Sequence, residues 1–195
     1  MRTLIAISLG YLFGSIPFAL LLTRSRGIDL RRAGSGNVGA ANVLRTAGPR
    51  RATAVVLLDA AKGSAAVITA GLLTGNLVAI TAAGIASIVG HIYPVWIGFR
   101  GGKGVAASAG VFAIIAPAAT GIAVLVFVCT AGITRFISAG SIAAAVALAA
   151  ATIVGNAPQP VVVGAVIAAL LVVHGHRANL LRLAAGTERR IGLRL

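Results

Sequence analysis

Acidic side chains are nearly absent from this 195-residue chain: Asp29, Asp59 and Glu188 are the only three, against 17 lysines and arginines. The three histidines and three acids are scattered, with no H-x3-H, no carboxylate pair and no cysteine pair, so a protein-built metal centre is not expected. The same poverty excludes alcohol phosphotransfer by clustered aspartates on divalent ions. Cysteine is reduced to Cys129, within an apolar run, which excludes a disulfide inside the chain and leaves nothing nearby to generate a thiolate. Only 10% of residues are charged while 58% are hydrophobic, too little polar surface to cover a water-soluble globule. No length remains for a separate soluble domain.

What is present is a series of long apolar runs, at residues 3–23, 52–73, 77–98, 105–116, 118–133, 141–154 and 161–174. They predict a single all-α domain over residues 1–195, a polytopic membrane helical bundle with some short helices. The first run begins MRTLIAISLGYLFGSIPFALLLTR. It is longer than a signal-peptide core and lacks a clear small-residue cleavage site, so it reads as a membrane helix. Gly48-Pro49, Thr74-Gly75-Asn76, residues 99–104, Pro117, Arg135 and residues 155–160 separate the runs. Most of the 25 glycines are expected to serve close helix packing.

The stretch 105–133 is either one helix kinked at Pro117 or two short ones. Two helices make seven crossings and put the basic residues of 24–51, Arg100, Lys103, Arg135 and the basic tail 177–194 on one face, with Arg2 alone opposite. One helix would send the basic tail to the other side, against the positive-inside rule. Seven transmembrane helices follow, with the N-terminus outside and the C-terminus cytoplasmic. Every polar motif then emerges at the cytoplasmic edge of the membrane. The charge of +14 is assigned to lipid headgroups and anionic substrates rather than to nucleic acid, because it sits between membrane runs.

The first polar motif is GSGNVGAANVLR, residues 34–45. Ser35, Asn37, Asn42, Arg45 and the backbone amides around Gly34, Gly36 and Gly39 are suited to an anion. The glycines match G-x-G-x-x-G, yet that fingerprint has meaning only between a strand and a helix of a parallel sheet, and here a membrane-length run follows. The second motif is GHIYPVWIGFRGGKG, residues 90–104. Gly101, Gly102 and Gly104 surround Lys103 with permissive backbone, so the ammonium can reach a phosphate as a point charge. It is no Walker A loop: Ile97 stands five positions before Gly102, and Gly104 replaces the magnesium-binding hydroxyl. His91 is equally compatible with ligand binding and with a structural hydrogen bond.

The third motif is HGHRANLLRLAAGTE, residues 174–188. If helical, it puts His176, Asn179 and Arg182 on one face, while Leu180, Leu181 and Leu183 suit an interfacial helix. Asp59 and Lys62, three apart inside the second run, read more readily as a neutralised pair than as chemistry. Arg135, with Ser138 and Ser141, marks a further inner loop, as an anion contact or as a topological charge.

Taken together, GSGNVGAANVLR, GHIYPVWIGFRGGKGVA and HGHRANLLRLAAGTE resemble, in order, the three cytoplasmic signature motifs of the bacterial membrane acyltransferases that move an acyl group from acyl phosphate to glycerol 3-phosphate. DAAKG and TRFISAGSI fit the intervening segments, and the resemblance spans essentially the whole chain. Ala41 departs from an expected threonine and His174 from an expected arginine. The resemblance implies seven helices in the bacterial inner membrane, with glycerol 3-phosphate drawn from the cytoplasm and lipid-embedded acyl phosphate as donor. It implies lysophosphatidic acid and phosphate as products of the first acylation step of phospholipid synthesis, with neither coenzyme A nor any cofactor. Carried onto this chain, it places Ser35, Asn37, Arg45, Lys103, His176, Asn179 and Glu188 in the site. Joined with the reading of the motifs themselves, this assigns Ser35, Lys103, His176 and Asn179 to catalysis, and Gly34, Gly36, Asn37, Gly39, Asn42, Arg45, His91, Gly101, Gly102, Gly104 and Glu188 to binding substrate or phosphate.

The expected mechanism is direct attack of the glycerol 1-hydroxyl on the acyl carbonyl, with the proton passing to His176 or to the substrate's own phosphate. The rival from another class is a small anion or phosphate transporter. That reading calls for polar residues along a mid-membrane path and for internally repeated halves, and neither is visible in the sequence.

Overall fold

The computed structural model describes residues 1–24 and 27–192, so Arg26 and Arg194, counted above among the inner basic residues, lie outside the described residues. Among the described residues there is no strand. Among the described residues, five stretches are long and apolar enough to cross a membrane, and a sixth is gained if the bent pair at the C-terminal end counts as one span.

The first stretch is not one straight helix. α1 (Arg2–Ser15) stops before Ile16-Pro17, and α2 (Phe18–Arg24) resumes after them. The pre-proline position turns extended, with φ −62° and ψ 118° at Ile16, because the proline ring disfavours helical backbone in the residue before it. After α3 (Ala40–Ala47) comes α4 (Pro49–Thr74), opened by Pro49 at its first position, where a missing N–H costs nothing. α5 (Leu77–Ile92) is capped by the Asn76 side chain, which accepts the Ala79 N–H at 3.1 Å. It ends six residues before the expected Gly98, because Pro94 lies ahead and a single 3₁₀ turn (Val95–Ile97) takes over.

The stretch 105–133 resolves into two helices, α6 (Val105–Ile115) and α7 (Pro117–Thr134), separated at Ala116 with φ −151°. α8 (Ile137–Val154), α9 (Gln159–Gly175) and α10 (Arg177–Ala184) complete the chain, with a 58° bend between the last two. α6 starts at the loop that carries Lys103. α7 returns to Arg135, whose carbonyl accepts the Ile191 N–H at 2.8 Å. An 11-residue helix spans only about 16 Å, and α6 is accommodated by protein: Ala107, Val111 and Phe112 are fully buried.

Small residues let the helices touch through backbone. A Cβ at Gly10 or Gly14 of α1 would overlap the carbonyls of Ala83 or Ser87 on α5, and one at Gly110 of α6 would overlap Ala60 on α4. This is how helices gain dispersion contacts where lipid removes the hydrophobic reason to associate. The main core joins α4, α5, α6 and α9 through Val67, Ile88, Phe112, Val161 and Ala165. A second core of Leu30, Val38, Val43 and Val55 seats α3 and its preceding loop on α4.

Candidate active site

The polar groups singled out in the sequence gather at one end of the bundle. In the first loop, Gly34 and Gly36 take the left-handed φ values of +61° and +74° that favour glycine. This curls the chain around Asn42 of α3. Asn42 Oδ1 accepts the Ser35 N–H at 2.8 Å, and its Nδ2 donates to the carbonyls of Leu30 at 3.1 Å and Ala33 at 3.0 Å. Asn42 is buried and its amide is spent on the loop itself, so it frames the cradle. Ser35 stays exposed, as does Arg45, three residues beyond Asn42 on α3. Gly39 is the N-cap of α3 and packs beside Asn37 Oδ1.

The second loop lies across the end of α5. Gly101 N–H donates to the Ile92 carbonyl at 2.9 Å and Gly102 N–H to the His91 carbonyl at 3.0 Å, satisfying two of the carbonyls a helix end leaves open. Both glycines are required by proximity: a Cβ at Gly101 would meet Pro94 and Ile92, and one at Gly102 would meet the His91 ring. From the cradle side, Asn37 Nδ2 donates to the Gly101 carbonyl at 3.5 Å, so the first two loops are in register. Gly104, with φ +84°, then caps α6, and Lys103 just before it is half-buried.

The third motif folds back on itself. His176 caps the end of α9 and is buried; its Nδ1 lies 2.8 Å from the Val172 carbonyl. In the neutral tautomer this bond selects, Nδ1 carries the proton and Nε2 keeps a lone pair. Asn179, in the first turn of α10, accepts from Lys103 Nζ with Oδ1 and donates to Glu188 Oε1 at 2.7 Å. Glu188 is buried and also receives the Ser138 hydroxyl at 3.0 Å and Arg182 Nε at 2.8 Å. The segment beyond it is strapped to the turn between α7 and α8, with the Arg190 guanidinium 5.3 Å from the Phe136 ring.

Electrostatics follow from this assembly. Burial pushes the Lys103 ammonium down to about 8; Glu188 opposes the shift, while Arg182 and Arg45 add to it. Burial and then the Lys103 charge hold His176 down at about 4. Burial alone would raise Glu188, but its hydrogen bonds from Asn179, Arg182 and Ser138 outweigh it and hold the carboxyl below its usual range. The site is thus cationic, with one charged carboxylate organising it and one neutral imidazole at its edge. Such a place binds phosphate and stabilises developing oxyanion charge.

Most of the sequence-predicted residues therefore converge. His91 differs in kind: it is 7% exposed and lies beneath the second loop, its Nδ1 3.5 Å from Asp59 Oδ1. Two members were named in the sequence without a partner: Ser138, whose partner is fifty residues away in sequence, and Arg182, which holds the free oxygen of Glu188. A hydroxyl in the first turn after an inner loop was the only signal for Ser138.

Comparison with known proteins places the whole chain in one family. Residues 4–186 match the family model described as glycerol-3-phosphate acyltransferase. A glycerol-3-phosphate acyltransferase of Myxococcus xanthus is 46% identical over 94% of this chain and 97% of its own length. One of Mesorhizobium japonicum is 45% identical over 97% and 96%. The solved structure of PlsY, an integral membrane glycerol 3-phosphate acyltransferase in its glycerol 3-phosphate form, superposes with a TM-score of 0.94 at 36% identity, over 98% of this chain and 96% of that one. Its lysophosphatidic acid form gives 0.92. This chain belongs to the glycerol-3-phosphate acyltransferase family.

Proposed function

We propose that this protein transfers an acyl chain from acyl phosphate to the 1-hydroxyl of glycerol 3-phosphate, giving lysophosphatidic acid and phosphate. The observation that carries the reading is the Lys103–Asn179–Glu188 chain beside the Asn42-framed cradle. It offers positive charge and amide donors to two phosphates at the end of a lipid-facing bundle. PlsY, solved in glycerol 3-phosphate and lysophosphatidic acid forms, supplies the acceptor and the product by analogy. Acyl phosphate as donor is what the family resemblance implies; phosphate is a good leaving group, so transfer from such a donor calls for no activating thiol.

The hydroxyl oxygen attacks the acyl carbonyl carbon directly. Lys103 and Arg45 hold the two repelling anions together and stabilise the oxyanion, Ser35 and Asn37 contact phosphate or glycerol, and Glu188 fixes Asn179 and Arg182. As the tetrahedral centre collapses, the acyl–phosphate C–O bond breaks and phosphate departs. The hydroxyl proton goes to Nε2 of neutral His176 or to the substrate's own phosphate.

The chain crosses the bacterial inner membrane seven times in this reading, N-terminus outside, with the site on the cytoplasmic face. The break at Ala116 and the return of α7 to the site end support counting α6 and α7 separately. The arginines at that end, from Arg24 to Arg190, support its cytoplasmic placement. The transporter reading is disfavoured because Asp59 and Lys62, buried within α4, are closed on each other at 2.8 Å instead of lining a path.

A liposome experiment separates the two: purified protein supplied with acyl phosphate and glycerol 3-phosphate forms lysophosphatidic acid. Phosphate flux across the vesicle without that product would favour the transporter instead.

A further inference from the structure

Below the site lies a polar cluster that the acyl-transfer chemistry does not use. Asp59 and Lys62 of α4 and His91 of α5 are all less than a tenth exposed. Lys62 Nζ lies 2.8 Å from Asp59 Oδ1 and donates to the Ile16 carbonyl at 2.9 Å, at the break between α1 and α2. It also sits 5.8 Å from the Phe18 ring. Asp59 in turn faces His91 Nδ1 at 3.5 Å, beside a small, partly open pocket of about 10 Å³ lined in part by Pro17, Val38 and Gly102. That is room for one water to complete the imidazole's partners.

A neutralised pair inside a membrane bundle is expensive to keep, and packing alone does not require it. What distinguishes this one is its position. The His91 ring is the surface on which Gly102 rests, and the Gly101 carbonyl beside it is the point at which Asn37 of the first loop meets the second. Lys103 follows directly. The peptide between Gly101 and Gly102 is thus held from below by His91 and from above by Asn37, and its height sets the separation between the cradle and the ammonium.

We infer that Asp59, Lys62 and His91 form a positioning floor that registers the two phosphate-binding loops against each other, so that both substrate phosphates are held at one fixed spacing. This rests on the acyl-transfer reading above. None of the three touches substrate. Asp59 orients the imidazole, Lys62 ties the floor to the α1–α2 break that leads into the first loop, and His91 carries the glycine peptide.

Two sets of variants test it. Asp59→Asn combined with Lys62→Met removes both charges at nearly constant volume, so no unpaired charge stays buried. The protein is expected in the membrane at wild-type yield, with KM for glycerol 3-phosphate raised about tenfold and kcat changed much less, because misplaced loops hold the acceptor poorly. A purely structural role would lower yield and apparent kcat with KM unchanged, and that result overturns the proposal.

The second set needs no charge change. Gly102→Ala drives a methyl group into the His91 ring and is expected to raise KM for glycerol 3-phosphate by about tenfold or more. Adding His91→Ala removes the obstruction while leaving the Asp59–Lys62 pair intact, and KM is expected to fall back below that of Gly102→Ala alone. If the two substitutions simply multiply, the ring does not carry the loop and the floor is wrong. Wild-type turnover in the same assay is the control. Its absence sinks the acyl-transfer reading, whereas turnover with multiplicative effects sinks the floor alone.

Discussion

The Ser138 hydroxyl, in the first turn of α8, donates to Glu188 Oε1 at 3.0 Å and so ties the C-terminal strap to a helix fifty residues earlier. The same oxygen receives Asn179, which accepts from Lys103, and one serine therefore steadies the cation at the centre of the site. Ser138→Ala removes a hydrogen bond to a charged acceptor, worth about 1.5–3 kcal/mol, and is expected to cut kcat/KM by about tenfold. Ser138→Thr keeps the donor and should retain most activity. Steady-state kinetics of the two variants, normalised to folded protein, checks this.

Lys103 holds its charge below about 8 and loses it as pH rises through that value, because its pKa is lowered from the ordinary lysine range. Activity that depends on the ammonium should fall on the alkaline side with a midpoint near 8 in kcat/KM. Saturating glycerol 3-phosphate should move the midpoint up, since a bound dianion favours the charged form. Glu188→Gln should move it down, because the carboxylate is what opposes the shift. Lys103→Arg should abolish the limb whatever its effect on rate, and pH–rate profiles of the three proteins distinguish these outcomes.

His176 is neutral at pH 7 because burial and Lys103 hold it near 4, so no acid limb is expected near 6.5. If Nε2 takes the hydroxyl proton, His176→Ala should lower kcat by about 10²-fold or more with KM nearly unchanged. Turnover close to wild type would instead assign the proton to the substrate's phosphate.

Asn42 spends its amide on three backbone groups, and neither an acid nor an alanine replaces it. Asn42→Asp keeps the acceptor for Ser35 but cannot donate to Leu30 and Ala33. It should cost about 1–3 kcal/mol per unpaired carbonyl and lower the thermal midpoint. Ser35→Ala, at an exposed hydroxyl, should leave that midpoint unchanged while impairing turnover. Thermal denaturation in detergent, read beside activity, separates the frame from the contact.

Much of the fold was legible because its signals are local. Apolar runs mark the helices, the distribution of basic residues separates α6 from α7, and abundant glycine announces close helix packing without saying which glycines form the crossings. The break at Pro17 was hidden inside an otherwise continuous apolar run. In the site, the three motifs announce themselves by glycine, asparagine and basic residues, and the three-residue spacing of Asn179 and Arg182 does put both on Glu188. What stayed illegible is long-range. Nothing in the sequence links Ser138 to Glu188 or His91 to Asp59, and Gly101 and Gly102 look like a ligand loop until the end of α5 is seen beneath them. Asn42 reads equally well as a contact or as a frame until its partners are known.

The central claim is direct acyl transfer at a cofactor-free site, and a single-turnover experiment tests it most directly. Purified protein is mixed with radiolabelled acyl phosphate in excess chelator, with and without glycerol 3-phosphate, then quenched and resolved into protein, lipid and phosphate. With acceptor present, lysophosphatidic acid and phosphate should appear together in equal amounts, and without it no label should remain on the protein. Label covalently bound to protein, or a requirement for added metal or coenzyme A, would contradict the account.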